Sequence, residues 1–257
     1  MGVNRCERLH RGIMISFKSA LVVLLLLAVH SGCVKKDDID ILKSGVEKWN
    51  KWREENPSVR PYLGRTNLGG ANLDSANLGG ANLDSANLVE TALEGAKLIG
   101  ASLNGANLES ADLAKANLAG AALAEADLRG ANLEGANFEG ANLQGVNFEK
   151  TKFYGVNLER TDLRNAKLEG TDFSGAILVE ADLRGVKLQG TDFSKVKSFY
   201  KAKLDPEILS HIKAKWPQEL ATSWDDEEER LELDPTLLEQ IKKPDWHGWA
   251  EGKGQGK

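Results

Sequence analysis

The side chains best suited to nucleophilic, acid–base or metal chemistry are sparse in this 257-residue chain, and they stand apart from one another. All four His and both Cys lie outside residues 66–195, so that 130-residue stretch holds no imidazole or thiolate for catalysis or zinc ligation. His211 sits at helical spacing between Ile208 and Ile212, as a partly exposed histidine of a terminal cap would, and His247 has no ligand-spaced partner. No Ser-His-Asp set, phosphate-binding Gly loop or paired-cysteine motif occurs. Asp225-Asp226-Glu227-Glu228-Glu229 is a dense acidic run that reads as a solvated linker or helix start, with cation binding as the sharper alternative. These absences read as a chain that is not an enzyme and carries no cofactor. With 33 Lys+Arg against 38 Asp+Glu, the net charge of −5 is no footprint for nucleic acid.

Cys33 is the residue with the clearest chemical expectation. Arg5, Arg8, Arg11 and Lys18 precede a ten-residue apolar run, Ala20–Val29, followed by Ser31-Gly32-Cys33. Ten apolar residues are about half of the roughly 20 that a helix needs to cross a bilayer. A basic flank, a short apolar core and small residues instead form an export signal over residues 1–32. The arrangement resembles a bacterial lipoprotein signal peptide, although His30 stands where an aliphatic residue is usual. The resemblance implies cleavage before Cys33, lipid attachment to its sulfur, and, with Val34 rather than Asp next, sorting toward an outer membrane. An uncleaved apolar anchor, or cleavage elsewhere, would serve the same residues. Each alternative puts the rest of the chain outside the cytoplasm.

The elements that must position everything else follow from an internal period of five. From Leu68 to Phe193 every fifth residue is Leu or Phe, in 26 of 26 positions, five of them Phe. Two residues earlier stand 17 Ala, six Thr and three Val, and the residue between is Asn or Asp in 18 of 26 units. The last residue of a unit is most often Gly. A period of five matches neither the 3.6 of a helix nor the 2.0 of a strand, so neither buries every Leu. A chain that turns a corner every five residues does. Leu and the small residue then point inward as alternate residues of an extended side. The Asn or Asp between them points outward and can bond backbone at the corner, where Gly accepts the strained dihedrals.

Units such as Ala-Asn-Leu-Asp-Ser and Ala-Asp-Leu-Arg-Gly resemble those of the pentapeptide-repeat family. The resemblance implies an all-β fold, a right-handed quadrilateral β-helix with four units per coil. The 26 units over residues 66–195 then make about 6.5 coils and a rod roughly 31 Å long at 4.7–4.9 Å per coil. Leu68, Leu88, Leu108, Leu128, Phe148, Leu168 and Leu188 form one internal stack, and the late Phe residues predict different packing in the C-terminal half.

All six Trp lie outside the repeats, where short α-helical caps are expected. Over residues 33–65, Ile39, Leu42, Val46, Trp49 and Trp52 recur at helical spacing until Asn56-Pro57 stops the helix. Over residues 196–257, Leu204–Lys213 and Leu233–Lys242 read as two helices with Asp N-caps, the first lidding the last coil, before a disordered Gly- and Lys-rich tail. Trp246 and Trp249, beyond any coil edge, are candidates for self-association, a homodimer through the C-terminal helices, or partner binding. On the rod, Ile177, Val179 and Ile99 share one side as the nearest approach to an apolar patch, and Asp74, Glu94, Asp112 and Glu134 share another with Lys115. The functional expectation is a non-catalytic, membrane-tethered scaffold or protein-interaction module of the bacterial cell envelope, facing the periplasm or exterior, with an unknown envelope protein as partner. The alternative drawn from the same family is a cytoplasmic DNA mimic that binds gyrase. Eighteen acidic and 11 basic residues interleaved over 66–195 speak against a phosphate-like stripe.

Overall fold

The computed structural model describes residues 36–193, 195–207, 222–225 and 230–233. Its body is a coil in which residue i pairs in parallel with residue i+20, from Tyr62↔Asn82 to Asp172↔Asp192. Four five-residue sides therefore close each turn. Each side is only about one bridge long, because the chain bends again before a second pair can form. Leu68 N donates to Asn87 O (2.8 Å), Asn87 N donates back to Thr66 O (2.9 Å), and Ala71 N closes the corner on Leu68 O (3.0 Å). The fifth residue of a unit takes the left-handed conformation, as Gly70 does at φ 67°. Ser75, Glu90 and Lys115 hold it as well, so Gly is favoured there without being required.

The coil exceeds the repeat bounds read from the sequence. Leu63 occupies an inward position one unit before residue 66, and Phe199, Ala202 and Leu204 continue inward after residue 195. The late pairs Ile177↔Ser198 and Asp182↔Lys203 are 21 residues apart, so one extra residue is absorbed between Asp192 and Ser198. That insertion breaks the period of five without breaking the ladder. Leu204, just before the Asp205 N-cap and the helical residues Pro206 and Glu207, is a core residue at 2% exposure.

Inside, the Leu, Phe and small residues form one continuous core from Leu63 to Leu204, Leu188 and Val186 being its half-buried members near the end. Buried threonines at the small position keep their hydroxyls bonded: Thr91 and Thr151 donate across coils to Leu68 O and Leu128 O at 3.0 and 2.9 Å. Thr161 and Thr171 donate within their own turn at 2.6 Å. Thr is thereby accommodated in an apolar stack without an orphaned donor.

The packing does change in the C-terminal half. Phe153, Phe173 and Phe193 stack on one side, with centroids 4.5 and 4.9 Å apart and rings 5° and 26° from parallel. Phe148 and Phe199 meet the two ends of this stack edge-on. Phe173→Leu removes both stacked pairs while keeping an aliphatic filler. It is expected to lower stability by about 1–3 kcal/mol, at about 0.5–1.5 kcal/mol per aromatic pair, measured by chemical denaturation. A denaturation curve superposable on the parent's would contradict the stack's role.

Before the coil lie two helices, α1 (Lys36–Lys43) and α2 (Val46–Glu55), rather than one. Ser44 ends the first by donating its backbone N–H to Asp40 O and Ile41 O, and Gly45 at φ 117° lets the chain change direction. Asn56 closes the second, its N–H and its amide both donating to Trp52 O (3.0 and 2.9 Å). Further along, β1 (Thr222–Asp225) pairs antiparallel with β2 (Arg230–Leu233), with Asp225 opposite Arg230. The rest of the acidic run, residues 226–229, lies outside the described residues. The export signal, Cys33, His211, His247, Trp246, Trp249 and the bulk of the proposed C-terminal helices lie outside the described residues.

Candidate interaction surfaces

The first coil has no coil beneath it, and its outward backbone groups need partners from elsewhere. One coil higher, Lys97 N donates to Ala76 O and Lys97 O accepts from Leu78 N. The equivalent groups of Asn77 and Gly79 find side chains of α2 instead. Trp49 Nε1 donates to Asn77 O (2.9 Å), Asn50 Oδ1 accepts from Asn77 N (2.7 Å), and Arg53 Nη2 donates to Gly79 O (2.8 Å). On the neighbouring side Asp38 Oδ2 accepts from Tyr62 N (3.1 Å). Trp49 is fully buried, 5.2 Å from Trp52. Burial pulls the Arg53 guanidinium below its ordinary pKa, with Asp38 acting against that. Trp49 and Trp52 thus pack against the core at the open edge of the first coil. Asn50 and Asp38 were missed, because nothing in their sequence context marks a polar side chain that completes a β edge.

Outward Asn and Asp side chains behave as the repeat predicted. Asn72 Oδ1 accepts from Asp74 N (3.1 Å), and Asn87, Asn107 and Asn117 do the same for the residue two ahead. At three positions where the repeat lacks that Asn, the coil below supplies a substitute. Ala92, Ser102 and Ala122 replace it, and Glu94 N, Asn104 N and Ala124 N donate to Asp74, Asp84 and Asn104 (2.8, 2.9 and 3.0 Å). An acidic or amide residue two places after the ladder position, 20 residues earlier, is the sequence signal for this compensation.

Three of the four carboxylates on that side, Asp74, Glu94 and Asp112, are occupied. Asp74 holds Glu94 N, Glu94 pairs with Lys115 (2.8 Å), and Asp112 accepts from Ala114 N and Asn132 Nδ2 (3.1 and 2.9 Å). Among the described residues no three metal-ligating side chains come together.

Arginines on the rod are matched to carboxylates. Arg129 meets Asp127 and Glu109; Arg160 meets Glu139, Glu159 and Glu180; Arg164 grips Asp162 and Arg184 grips Asp182, each with two nitrogens. The bond from Arg164 holds the Asp162 carboxyl below its ordinary pKa, against opposing desolvation. A lowered folded pKa gives stability that is fully present above the ordinary carboxylate range and is lost as pH falls through the folded value. Arg164→Gln is expected to move the Asp162 pKa up toward the ordinary value, read by NMR titration of the side-chain carboxyl. An unmoved titration would assign the lowering to another group.

Ile177, Val179 and Ile99, the nearest approach to an apolar patch on the rod, lie scattered. Ile177 points outward in the ladder between Asn157 and Ser198 but is only 4% exposed. Val179 is half-buried, and Ile99, at 51% exposure, stands four coils away in the same column, roughly 19 Å at 4.7–4.9 Å per coil. Ala119, Glu139 and Glu159 lie between them. The pattern of apolar types on one side was read correctly from the sequence, while their separation along the axis and the covering of Ile177 depend on how the coils stack.

Compared with known proteins, the chain matches the family model for pentapeptide repeats in eight copies over residues 62–98, 93–130, 121–160 and 157–194, together just over half of its length. Several solved structures are similar. HetL, a pentapeptide repeat protein involved in heterocyst differentiation regulation from the cyanobacterium Nostoc sp. strain PCC 7120, is 28% identical, over 57% of this chain and 79% of that one, with a TM-score of 0.30. Rfr23 from the cyanobacterium Cyanothece 51142 is 30% identical, over 57% and 95%, with a TM-score of 0.22. A trypsin-treated variant of QnrB1, a plasmid-mediated fluoroquinolone resistance protein, is 19% identical, over 61% and 87%, with a TM-score of 0.39. No curated protein matches the chain.

Proposed function

We propose, from the premise that this chain belongs to the pentapeptide-repeat family, that it is a non-catalytic β-helical scaffold or protein-interaction module tethered to a membrane of the bacterial cell envelope. The observation that carries the tether is Ser31-Gly32-Cys33, one residue after a basic flank and a ten-residue apolar run. Lipid on Cys33 would leave about 30 residues, including α1 and α2, between the membrane and the first coil at Tyr62. The sides of the rod would then be presented to an envelope protein. The interaction reading is supported by a body whose coils are joined by backbone hydrogen bonds and whose polar sides are held by their own ladders.

The gyrase-binding reading asks for a rod side that imitates DNA phosphates in one sign of charge. Here Arg129, Arg160, Arg164 and Arg184 sit directly on the carboxylates that would form such a stripe. Intact-mass measurement of the protein purified from membranes, beside Cys33→Ser, tests the tether. The expected result is a diacyl- or triacyl-modified chain beginning at Cys33, lost in the variant. An unmodified, uncleaved chain in the cytosol would overturn it and make gyrase binding the next assay.

A further inference from the structure

Charge is unevenly distributed along the rod. Residues 66–185 carry nine Lys+Arg and 17 Asp+Glu, whereas residues 186–205, the last coil, carry five Lys and two Asp. The net values are −8 and +3. Lys187 lies on one side, stacked on Lys167; Lys195, Lys197 and Lys201 flank Ser198 two sides further on; Lys203 lies on the next side above Asp182. Four of the five are exposed, and Lys201 is half-buried with its ammonium 5.3 Å from the Tyr200 ring. Like charges facing each other across a ladder, as Lys167 and Lys187 do, are unfavourable without a nearby anion. The last coil sets two acids, Asp192 and Asp205, against its five lysines; Asp205 also accepts the Gly185 N–H, and Asp192 and Lys197 make interactions of their own.

The chain that follows has the opposite sign. Residues 206–257 carry seven Lys+Arg and 12 Asp+Glu, a net −5, and five of those acids are contiguous from Asp225 to Glu229. The pairing of Asp225 with Arg230 holds the two ends of that run across β1 and β2. Twenty residues separate Asp205, where the coil ends, from Asp225. Such a tether reaches at most about 66–72 Å and keeps the acidic run at an effective concentration on the order of millimolar.

We propose that the lysine-ringed last coil is a docking surface for this chain's own acidic run, Asp225–Glu229. Single surface ion pairs contribute little, so the contact depends on several lysines and acids acting together and weakens with salt. Carbodiimide coupling of the full chain tests it, because the reagent joins a lysine amine to a carboxylate as an amide, with loss of water, only where the two touch. Digestion and mass spectrometry are expected to find links from Asp225–Glu229 to Lys187, Lys195, Lys197, Lys201 or Lys203. They should be suppressed by high salt and lost in the variant Asp225→Asn/Asp226→Asn/Glu227→Gln/Glu228→Gln/Glu229→Gln. That variant leaves the β-helix untouched, so its circular dichroism should match the parent's. In a mixture of isotopically labelled and unlabelled chains, the links should join peptides of one isotopic type. Links between the two types would assign the acidic run to a second copy. Links from these lysines to rod carboxylates alone would leave the last coil without this ligand. Either result overturns the proposal.

Discussion

Leu108→Asn is expected to cost the rod more stability than any other single change considered. Leu108 is fully buried mid-rod, stacked between Leu88 and Leu128, and its N–H is already committed to Asp127 O (2.7 Å). Truncating such a residue to Ala costs about 2–5 kcal/mol. Asn adds an amide whose donors and acceptor meet only aliphatic neighbours and saturated backbone, at about a further 1–3 kcal/mol. Because each coil contacts only the coils beside it, the loss should be concentrated around the site and propagate outward. Hydrogen exchange is expected to speed up most for amides of residues 86–130, with a lowered melting temperature overall. A melt and an exchange pattern equal to the parent's would refute the inward placement of the Leu centres, and the same test at Phe138 would serve as a second site.

Trp49→Ala is expected to have the next largest effect, and of a different kind. Truncating a buried Trp costs about 3–5 kcal/mol, and here it also strips the donor from Asn77 O. Trp49→Phe keeps most of the packing and loses that one bond, for about 1 kcal/mol. The Ala variant should in addition expose the first coil's edge, and an unpaired edge invites association. Denaturation and sedimentation velocity together report both consequences. If Trp49→Ala melts like the parent and sediments as the parent does, the α2 cap is dispensable and its hydrogen bonds are incidental.

The contrast between these two sites shows what could be read in advance. Leu108 belongs to a pattern that repeats 26 times, so its inward orientation follows from arithmetic on one period. Trp49 was placed as a lid from its helical spacing and its position before the first unit. Asn50, which bonds both Asn77 N and Ser75 O, was not placed at all, since a polar residue on an exposed helix looks the same whether or not a β edge lies opposite. The single break expected of the N-terminal helix was at Asn56-Pro57, and that stop is where it was read. The earlier break at Gly45 was missed because α1 and α2 keep compatible apolar spacing on both sides of it.

Ile177 makes the same point on the rod. Its outward direction was legible, since it occupies the position between the small residue and Leu178. Its burial was not, because exposure of an outward side chain depends on neighbours 20 or more residues away and on the extra residue absorbed before Ser198. The Asp74, Asp84 and Asn104 substitutions for a missing Asn are likewise pairings between coils, visible only after the 20-residue stacking is known.

The amino-acid sequence by itself determined the local geometry of this protein: which residues face inward and where each corner falls. Those properties are repeated every five residues, and a period carries its own register. Tertiary structure alone decided how the irregular parts meet the regular one: the side chains that finish the first edge, the residue absorbed in the last coil, and the outward groups that are covered or paired. Each of these depends on contacts between segments that share no period, so the local sequence holds no trace of the partner until the coil brings it within reach.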